Sequence, residues 1–182
     1  MQILHLSDTH QMHREVIVPE TGYDLIVHTG DFTTFGKGMQ DFFDWYGSLT
    51  GTKLLILGNH EYPNPDYRIK ANAVGIILLT GGQSIEVNGV VIAAIDSGST
   101  HTASAAIDGY QGYADVILSH SRGPIEELPQ LSRRLKHQGV RTYLHGHIHE
   151  EGRQEQTVNQ VRWINGSLIG GECVRVPAIV TI

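Results

Sequence analysis

Residues 25–31 read LIVHTGD, a short apolar run that ends in a glycine and a carboxylate. Runs of about 4–8 apolar residues bounded by Gly, Asp or Asn predict buried strands. The same pattern recurs as LHLSDTH at 4–10, LLILGNHE at 54–61, VILSH at 116–120 and YLHGHIH at 143–149. Each run ends in a side chain that can bind a divalent cation.

These polar endings are expected to meet at one place. A strand rises only about 3.3 Å per residue, so endings far apart in sequence meet only if the strand ends lie side by side. Crossover connections produce that arrangement because they return successive strands in the same direction. Ligands of open α/β sheets bind at the carboxyl ends of the strands. The pattern therefore predicts an α/β fold with a site at the strand ends.

The remaining elements follow from periodicity and turn chemistry. Residues 38–50 repeat apolar side chains at helical spacing, and we interpret this aromatic stripe as core packing. A second helix is predicted at 129–137. Asn88-Gly89 lies between two β-rich runs and suits a type I′ hairpin, which makes the sheets mixed. Residues 96–112 lack an apolar period and predict a long loop. The tail, 160–182, predicts two or three closing strands.

Composition agrees with one compact domain over residues 1–182. The net charge of −6 makes long nucleic acid an unlikely partner, since binding to a phosphate backbone needs a basic surface, although a local basic groove stays open. The one cysteine excludes an internal disulfide framework. No run approaches the roughly 20 apolar residues of a membrane helix, and no secretory segment is visible. A cytoplasmic protein without membrane contact is expected.

The strand endings supply nitrogen and oxygen ligands. Asp8 and His10 stand two apart, so that both would project to one side of an extended strand end. The carboxylate of Asp31 has two oxygens with which to bridge two cations about 3.5–4 Å apart. Asn59 offers an amide oxygen while its neighbour His60 stays free to handle a proton. Each motif alone is weak, since each also suits a turn or a buried structural residue.

Taken in order, the motifs are specific. Asp8-x-His10, Gly30-Asp31, Gly58-Asn59-His60-Glu61, His120 and Gly146-His147-x-His149 form the ordered set. This set resembles the calcineurin-like metallophosphoesterases. The sequences Gly30-Asp31-Phe32-Thr33 and Gly58-Asn59-His60-Glu61 are similar to those of the small single-domain phosphodiesterase branch of that family. The resemblance implies a four-layer αββα sandwich of two mixed sheets with the metal site at the strand ends. One departure is Ser121, which follows His120 where the family often has glycine.

The resemblance also implies roles for individual residues. One metal ion would be held by Asp8, His10, Asp31 and His149. The other would be held by Asp31, Asn59, His120 and His147, with Asp31 bridging. His60 would be a catalytic residue, and a hydroxide between two divalent ions would attack phosphorus. Mixed nitrogen and oxygen ligands suit Mn, Fe or Zn.

Other residues receive weaker interpretations. His5, His28 and His145 lie inside strand runs, where a hydrogen-bonded core imidazole is the expected role. His101 lies in the predicted loop and is a candidate substrate contact, as is Arg122, which could bind a phosphate oxygen.

Three functions remain open at this point. The first is a metal-dependent phosphodiesterase or phosphatase acting on a small phosphate ester. The second is a nuclease, which the acidic net charge disfavours. The third is a non-catalytic scaffold that uses the same fold, which the complete set of metal-binding residue types disfavours.

Overall fold

The computed structural model describes residues 1–61, 66–95, 100–170 and 173–182, with the backbone alone at Thr100, His101 and Cys173. Its α-helices are α1 Met39–Ser48, α2 Asp66–Ala73, α3 Thr100–Gly109 and α4 Leu128–His137. Its first strands are β1 Gln2–Leu6, β2 Leu25–His28, β3 Thr52–Leu55, β4 Ile77–Leu78, β5 Ser84–Val87, β6 Val90–Ala94 and β7 Val116–Leu118. The later strands are β8 Thr142–His145, β9 Glu155–Val158, β10 Val161–Asn165, β11 Ile169–Gly170, β12 Cys173–Val174 and β13 Ala178–Thr181.

Two mixed sheets form the centre of the fold, as the sequence predicts. The first has the strand order β13-β1-β2-β3-β4, in which β13 alone runs antiparallel to its neighbour. The second has the order β5-β6-β7-β8-β10-β9, with an antiparallel strand at each edge and parallel pairing between. Because β1, β2 and β3 are mutually parallel, and so are β7 and β8, their carboxyl ends lie along common edges.

Side-chain alternation along the strands produces four layers. Ile3, Leu25 and Val27 of the first sheet pack against Val116 and Leu144 of the second, which makes an apolar layer between the sheets. The opposite face of the first sheet packs on α1 and α2, and that of the second packs on α3 and α4. Successive residues of a strand point to opposite faces, so each strand feeds two cores. The αββα sandwich is therefore confirmed.

The aromatic stripe of α1 packs in the core, as predicted. Phe42 and Tyr46 are fully buried, and the ring of Phe42 stacks on Phe32 with centroids 4.1 Å apart. The hydroxyl of Tyr46 donates a hydrogen bond to the carbonyl of Leu54 over 2.8 Å, which ties the helix to β3. Phe32 follows Asp31 directly, so this packing fixes the backbone on one side of the site.

The hairpin is also confirmed, because Asn88 and Gly89 connect β5 to β6 with φ of 51° and 78°, the two positive values that a type I′ turn requires. The helix α4 matches the predicted 129–137 closely. None of the helices in the described parts of the chain is long and apolar enough to cross a bilayer.

Three predictions about elements were wrong or incomplete. The long loop at 96–112 contains α3, whose buried period is carried by Ala103 and Ile107, four residues apart. The small alanine side chains hid this period from a search for large apolar residues. Residues 96–99 lie outside the described part of the chain. Helix α2 was not predicted, and the tail has four strands instead of two or three, since β11 and β12 are only two residues long.

Candidate metal centre

The predicted ligands converge where the two sheets meet at their carboxyl edges. Among the described residues, three groups of side chains have ligand atoms within 4.8 Å of one another. The groups are Asp8, His10 and His149; His10, Asp31 and His60; and Asp31, His120 and His147. The loops after β1, β2, β3, β7 and β8 supply these residues. Asn59 joins the third group, since its Oδ1 lies 2.9 Å from Nε2 of His120.

The backbone at these positions is not extended, contrary to the reasoning used for Asp8 and His10. Asp8, His10, Asp31 and His147 have φ of 52°, 39°, 55° and 69°. Residues of this kind visit the left-handed region more readily than most, but each such conformation still costs roughly 1–2 kcal/mol. Strained backbone of this sort clusters at functional sites, where surrounding contacts hold it.

Gly146 makes the approach of the two sheets possible. A Cβ added at Gly146 would lie 1.9 Å from Oγ of Ser7 and 2.2 Å from Oδ2 of Asp8. The backbone amide of the next residue, His147, donates a hydrogen bond to the same Asp8 oxygen over 2.9 Å. The loop after β8 therefore rests directly on the loop after β1.

The two oxygens of Asp8 have different surroundings. Oδ2 accepts hydrogen bonds from His147 N and from Ser167 Oγ, the latter over 2.6 Å. Oδ1 is buried, has no hydrogen-bond partner within the described residues, and lies 3.3 Å from Nε2 of His149. Burial alone would raise the pKa of this carboxyl, but His149, His120 and Ser167 lower it well below its ordinary value. A buried, ionised oxygen directed at imidazole nitrogens is a suitable cation ligand.

Asp31 connects the groups. Its Oδ1 accepts a hydrogen bond from the amide of His60 over 2.8 Å. Its Oδ2 lies 3.2 Å from Nε2 of His120, 3.8 Å from Nε2 of His10 and 3.9 Å from Nε2 of His60. Burial raises the pKa of Asp31, whereas His120 lowers it, and the net direction is downward. One carboxylate oxygen thus faces nitrogens from both halves of the site.

Backbone carbonyls orient two of the imidazoles. Nδ1 of His10 lies 3.1 Å from the carbonyl of Thr33, and Nδ1 of His120 lies 2.9 Å from the carbonyl of Thr29. A carbonyl only accepts hydrogen bonds, so Nδ1 donates in both cases and Nε2 is directed at the site. This arrangement, in which the second ring nitrogen donates to a fixed acceptor, is typical of metal-binding histidines.

His120 marks where positive charge is most favourable. Burial lowers its pKa, but the carboxylates of Asp31 and Asp8 and the carbonyl of Thr29 raise it to about 9. Its Nε2 also lies 3.2 Å from Nδ1 of His147. A divalent cation bound among these atoms would replace the proton, and metal binding to histidine releases protons in this way.

His147 and His149 contribute to different groups, in agreement with the roles that the resemblance implies. His149 lies beside Asp8 and has its Nε2 3.3 Å from Nε2 of His10. His147 lies beside His120 instead. The left-handed backbone at His147 turns the chain between them, and this turn places one ring in each half of the site.

His60 lies beside the ligands without being enclosed by them. Its ring makes an edge contact with His10 at 4.6 Å between centroids and lies 4.2 Å from the ring of Phe35. Its Nδ1 is buried and has no hydrogen-bond partner among the described residues, while Nε2 is directed toward Asp31. The imidazole is therefore placed to exchange a proton with a molecule bound at Asp31.

Glu61 is a residue whose role the sequence did not reveal. Its Oε2 accepts hydrogen bonds from Asp31 N (2.8 Å) and Gly58 N (2.9 Å). Its Oε1 accepts hydrogen bonds from the amide and the hydroxyl of Thr33, each over 2.8 Å. Burial and Asp31 raise its pKa to about 7, although the hydrogen bonds act in the opposite direction. Glu61 thus ties the loop after β2 to the loop after β3.

His28 was expected to be a buried core imidazole, and its contacts agree. The amide of Gly30 donates to Nδ1 of His28 over 3.2 Å, so Nδ1 carries no proton. Nε2 consequently donates to Thr9 Oγ1, 3.2 Å away. His28 joins the loops that carry Asp8 and Asp31. His5 and His145 are buried in the same manner.

The structure describes the side chain of only one of the two candidate substrate contacts. Arg122 is buried, and its Nη2 lies 2.8 Å from both carboxylate oxygens of Glu151. The guanidinium of Arg122 therefore forms an ion pair with Glu151. Arg122 is not among the described residues that line the cleft over the histidines. His101 lies on α3 instead of a loop, and its side chain is outside the described part of the structure.

The cleft over the site is open and has a volume of about 410 Å³. This volume is within the range of small-molecule sites, which extends over roughly 300–1,000 Å³. The described lining residues are His10, Asp31, Thr34, Asn59, His60, His147, His149 and Ile169. The site can therefore present cation ligands and a proton donor to a small molecule.

Comparison with known proteins assigns the class. The sequence model of the calcineurin-like phosphoesterase family matches residues 1–151, and the chain belongs to that family. This assignment confirms the resemblance seen in the motifs. It supports a metal-dependent phosphoesterase, and the family's requirement for divalent metals agrees with the His and Asp groups described above.

Individual relatives are distant. A UPF0046 protein of Caenorhabditis elegans is 34% identical over 65 residues, which cover 34% of this chain and only 21% of that protein. Phosphopantetheinyl hydrolase from Mycobacterium tuberculosis aligns over 91% of this chain and 88% of its own, with a TM-score of 0.63 and 12% identity. GAP50, the anchor in the inner membrane complex of Plasmodium, aligns over 92% and 71%, with a TM-score of 0.57 and 13% identity. These structures share the fold.

Proposed function

We propose that this chain is a binuclear metal-dependent phosphoesterase that hydrolyses small phosphate esters, preferentially diesters. Asp8, His10, Asp31 and His149 would hold one divalent ion, and Asp31, Asn59, His120 and His147 would hold the other. The observation that carries the proposal is Oδ2 of Asp31, which lies within 3.8 Å of Nε2 of His10 and 3.2 Å of Nε2 of His120. One oxygen in reach of both groups is what a bridging ligand requires.

The spacing of the other ligand atoms supports the same conclusion. Atoms that bind one ion at about 2.0–2.2 Å lie roughly 3 Å from each other. The nitrogens of His10 and His149 are 3.3 Å apart, and those of His120 and His147 are 3.2 Å apart. Two nitrogen lone pairs that face each other at such distances repel unless a proton or a metal cation lies between them. The mixed nitrogen and oxygen set suits Mn, Fe or Zn.

The residues of this chain would then divide the work. Bound divalent ions lower the pKa of water and neutralise charge on a phosphoryl group. Asp31 orients both ion sites, and His60, placed beside Asp31, donates a proton to the departing oxygen. General acid catalysis of this kind contributes about 10²–10⁴-fold to the rate. Arg122 is not included among the substrate contacts, because Glu151 already pairs with it.

The open cleft supports a small substrate. Its volume of about 410 Å³ accommodates a phosphate ester with one organic substituent on each side. The net charge of −6 gives no support to a long nucleic acid, so a nuclease is the less favoured alternative. A single domain over residues 1–182 and a cytoplasmic location remain predictions.

A non-catalytic role is the alternative from another class. GAP50 is described as an anchor, and it shares this fold. Against such a role for this chain stand the buried, ionised Asp8, the position of Asp31 between the two groups, and the ring nitrogens of His10 and His120 that are directed at the site. A protein that binds no metal does not require these features. These features favour the enzyme.

Metal analysis combined with a hydrolysis assay tests the proposal. Metal-depleted protein is titrated with Mn²⁺ and assayed with bis(p-nitrophenyl) phosphate, while bound metal is measured by elemental analysis. We expect two ions per chain and hydrolysis that depends on them. Asp31→Asn should lose both, whereas Asp44→Asn, an exposed carboxylate on α1, should lose neither. Metal-free protein without hydrolysis would favour the anchor role, and strong retention on DNA at physiological salt would favour the nuclease.

A further inference from the structure

Phe35 is a large apolar side chain beside the cleft, with 58% of its surface exposed. Its ring lies against the imidazole of His60, with centroids 4.2 Å apart and planes inclined by 30°. Isolated exposed apolar side chains are ordinary on protein surfaces. This ring, however, contacts the residue that we propose as the proton donor. Phe35 is therefore close enough to His60 to contact a substrate whose departing oxygen is bound there.

The backbone around Phe35 is held in place. Phe35 has a φ of 51°, which is an outlier for a bulky side chain. The amide of Gly36 donates to the carbonyl of His60 and to Oγ1 of Thr33, each over 3.1 Å. Thr34 and Lys37 pair across the same turn. Such strained conformations persist where their surroundings determine them, so the turn presents Phe35 at a fixed position relative to His60.

The described lining of the cleft is almost exclusively polar, and Phe35 lies outside it, in contact with the lining residue His60. Among its described lining residues, Ile169 is the one with a large apolar side chain. The polar groups are suited to the phosphoryl part of a substrate, whereas the organic part requires an apolar surface. If His60 donates its proton to the departing oxygen, the leaving group lies on the His60 side of the phosphorus. Phe35 contacts His60, so among the described residues it presents an aromatic ring on that side.

We propose that Phe35 determines specificity by packing against a planar aromatic ring in the leaving group. The preferred substrates would be phosphate esters of aromatic or nucleoside alcohols. This inference rests on the proposed function and narrows its substrate class. Aromatic rings prefer offset or edge-to-face packing at centroid distances of about 4.5–7 Å, and a leaving group attached near His60 can reach Phe35 in such a geometry.

Binding of two phosphonates tests the inference without requiring turnover. Phenylphosphonate and methylphosphonate share the same head group and differ in the ring. Calorimetry on the Mn²⁺-loaded protein should show phenylphosphonate binding about 5- to 10-fold more tightly. In Phe35→Ala the two affinities should become equal, and in Phe35→Trp the preference should persist. Ile17→Ala, which removes another exposed apolar side chain away from the cleft lining, should leave the preference unchanged.

The outcomes separate this inference from the proposed function. An unchanged preference in Phe35→Ala, or equal affinities in the wild type, would overturn the role of Phe35. Absence of hydrolysis of bis(p-nitrophenyl) phosphate by the wild type, with a Phe35-dependent ring preference, would reject the esterase and retain the ring-binding site. Phe35→Leu is the second variant if Phe35→Ala does not fold, and it should also lose most of the preference. Bound metal, measured in each variant, must match the wild type.

Discussion

His60 contacts Asp31 in two ways that can be separated by mutation. Its backbone amide donates to Oδ1 of Asp31 over 2.8 Å, and its ring approaches Oδ2 from the cleft side. The first contact is a hydrogen bond and orients the carboxylate of Asp31. A side-chain substitution keeps the amide and removes the ring, so metal binding and proton transfer should respond differently.

We predict that His60→Ala retains bound metal and loses about 10²–10⁴-fold in turnover, since the amide survives and the general acid does not. Elemental analysis and steady-state rates with a diester check this. His137→Ala, at the exposed end of α4, is the control and should change neither quantity. A His60→Ala variant with an undiminished rate would reject the catalytic role.

Glu61 supports the site through four hydrogen bonds that converge on its two oxygens. In Glu61→Gln one oxygen becomes an NH₂ group, which faces two donors and cannot accept from them. Each buried donor left unpaired costs about 1–3 kcal/mol, so we predict a loss of roughly 2–5 kcal/mol in the free energy of unfolding and weaker metal binding.

Urea unfolding and Mn²⁺ titration of Glu61→Gln measure both effects. The matched control is Glu126→Gln, whose carboxylate is exposed. If Glu61→Gln unfolds at the same urea concentration as the wild type and binds Mn²⁺ equally well, the loops after β2 and β3 do not depend on this carboxylate.

At the scale of the elements, the contact between the loops after β1 and β8 brings residues of the two sheets together. Gly146 lies at that contact, where the atoms of Ser7 and Asp8 leave no room for a Cβ. The geometry of the group formed by Asp8, His10 and His149 therefore depends on the absence of a side chain at Gly146.

We predict that Gly146→Ala displaces Asp8, abolishes metal binding at that group and destabilises the protein by about 1–3 kcal/mol through overpacking. Gly109→Ala is the matched control, because a Cβ there meets no atom within 4 Å. Thermal unfolding and metal content measure the two effects. Full metal content in Gly146→Ala would show that the loops can separate without loss of the site.

At the scale of the whole molecule, the buried histidines His5, His28 and His145 link stability to pH. Burial is the largest cause that lowers the pKa of His5, His28 and His145, in each case to about 3. In the unfolded chain a histidine has a pKa of about 6.5. Between these values the unfolded state binds more protons than the folded state, so stability rises with pH and falls on acidification.

We predict that the free energy of unfolding of the metal-free protein falls by at least about 3 kcal/mol per pH unit below about pH 6. The lowered pKa values of His10, His13 and His147 act in the same direction as those of the three buried histidines. Three depressed histidines would contribute about 4 kcal/mol per unit. Glu61, whose pKa is raised to about 7, opposes them between its unfolded and folded values. Urea unfolding at pH 7, 6 and 5 measures the slope. His5→Gln should reduce the slope by the contribution of one histidine, whereas His137→Gln should leave the slope unchanged. A slope of zero would mean that these imidazoles bind protons as readily in the folded state as in the unfolded state.

The sequence predicted the elements of the fold better than the geometry of the site. Apolar runs identified the main strands, and helical spacing identified α1 and α4, because both signals are local. Helix α3 was not predicted, because its buried face combines Ile107 with the small side chain of Ala103. The strand endings brought the predicted ligands to one edge, since parallel strands place their carboxyl ends together.

What the sequence by itself determined was the set of side chains, their order and the family that this order indicates. The tertiary structure alone decided how those side chains are held. The left-handed backbone at His147 is the means by which His147 and His149 reach the two groups that the resemblance implies. The hydrogen bond from Ser167 to Asp8 joins residues 159 apart. The pairing of Arg122 with Glu151 likewise depends on folding. Local sequence patterns indicate which side of a helix or strand is buried. Contacts such as these form only after distant segments pack together.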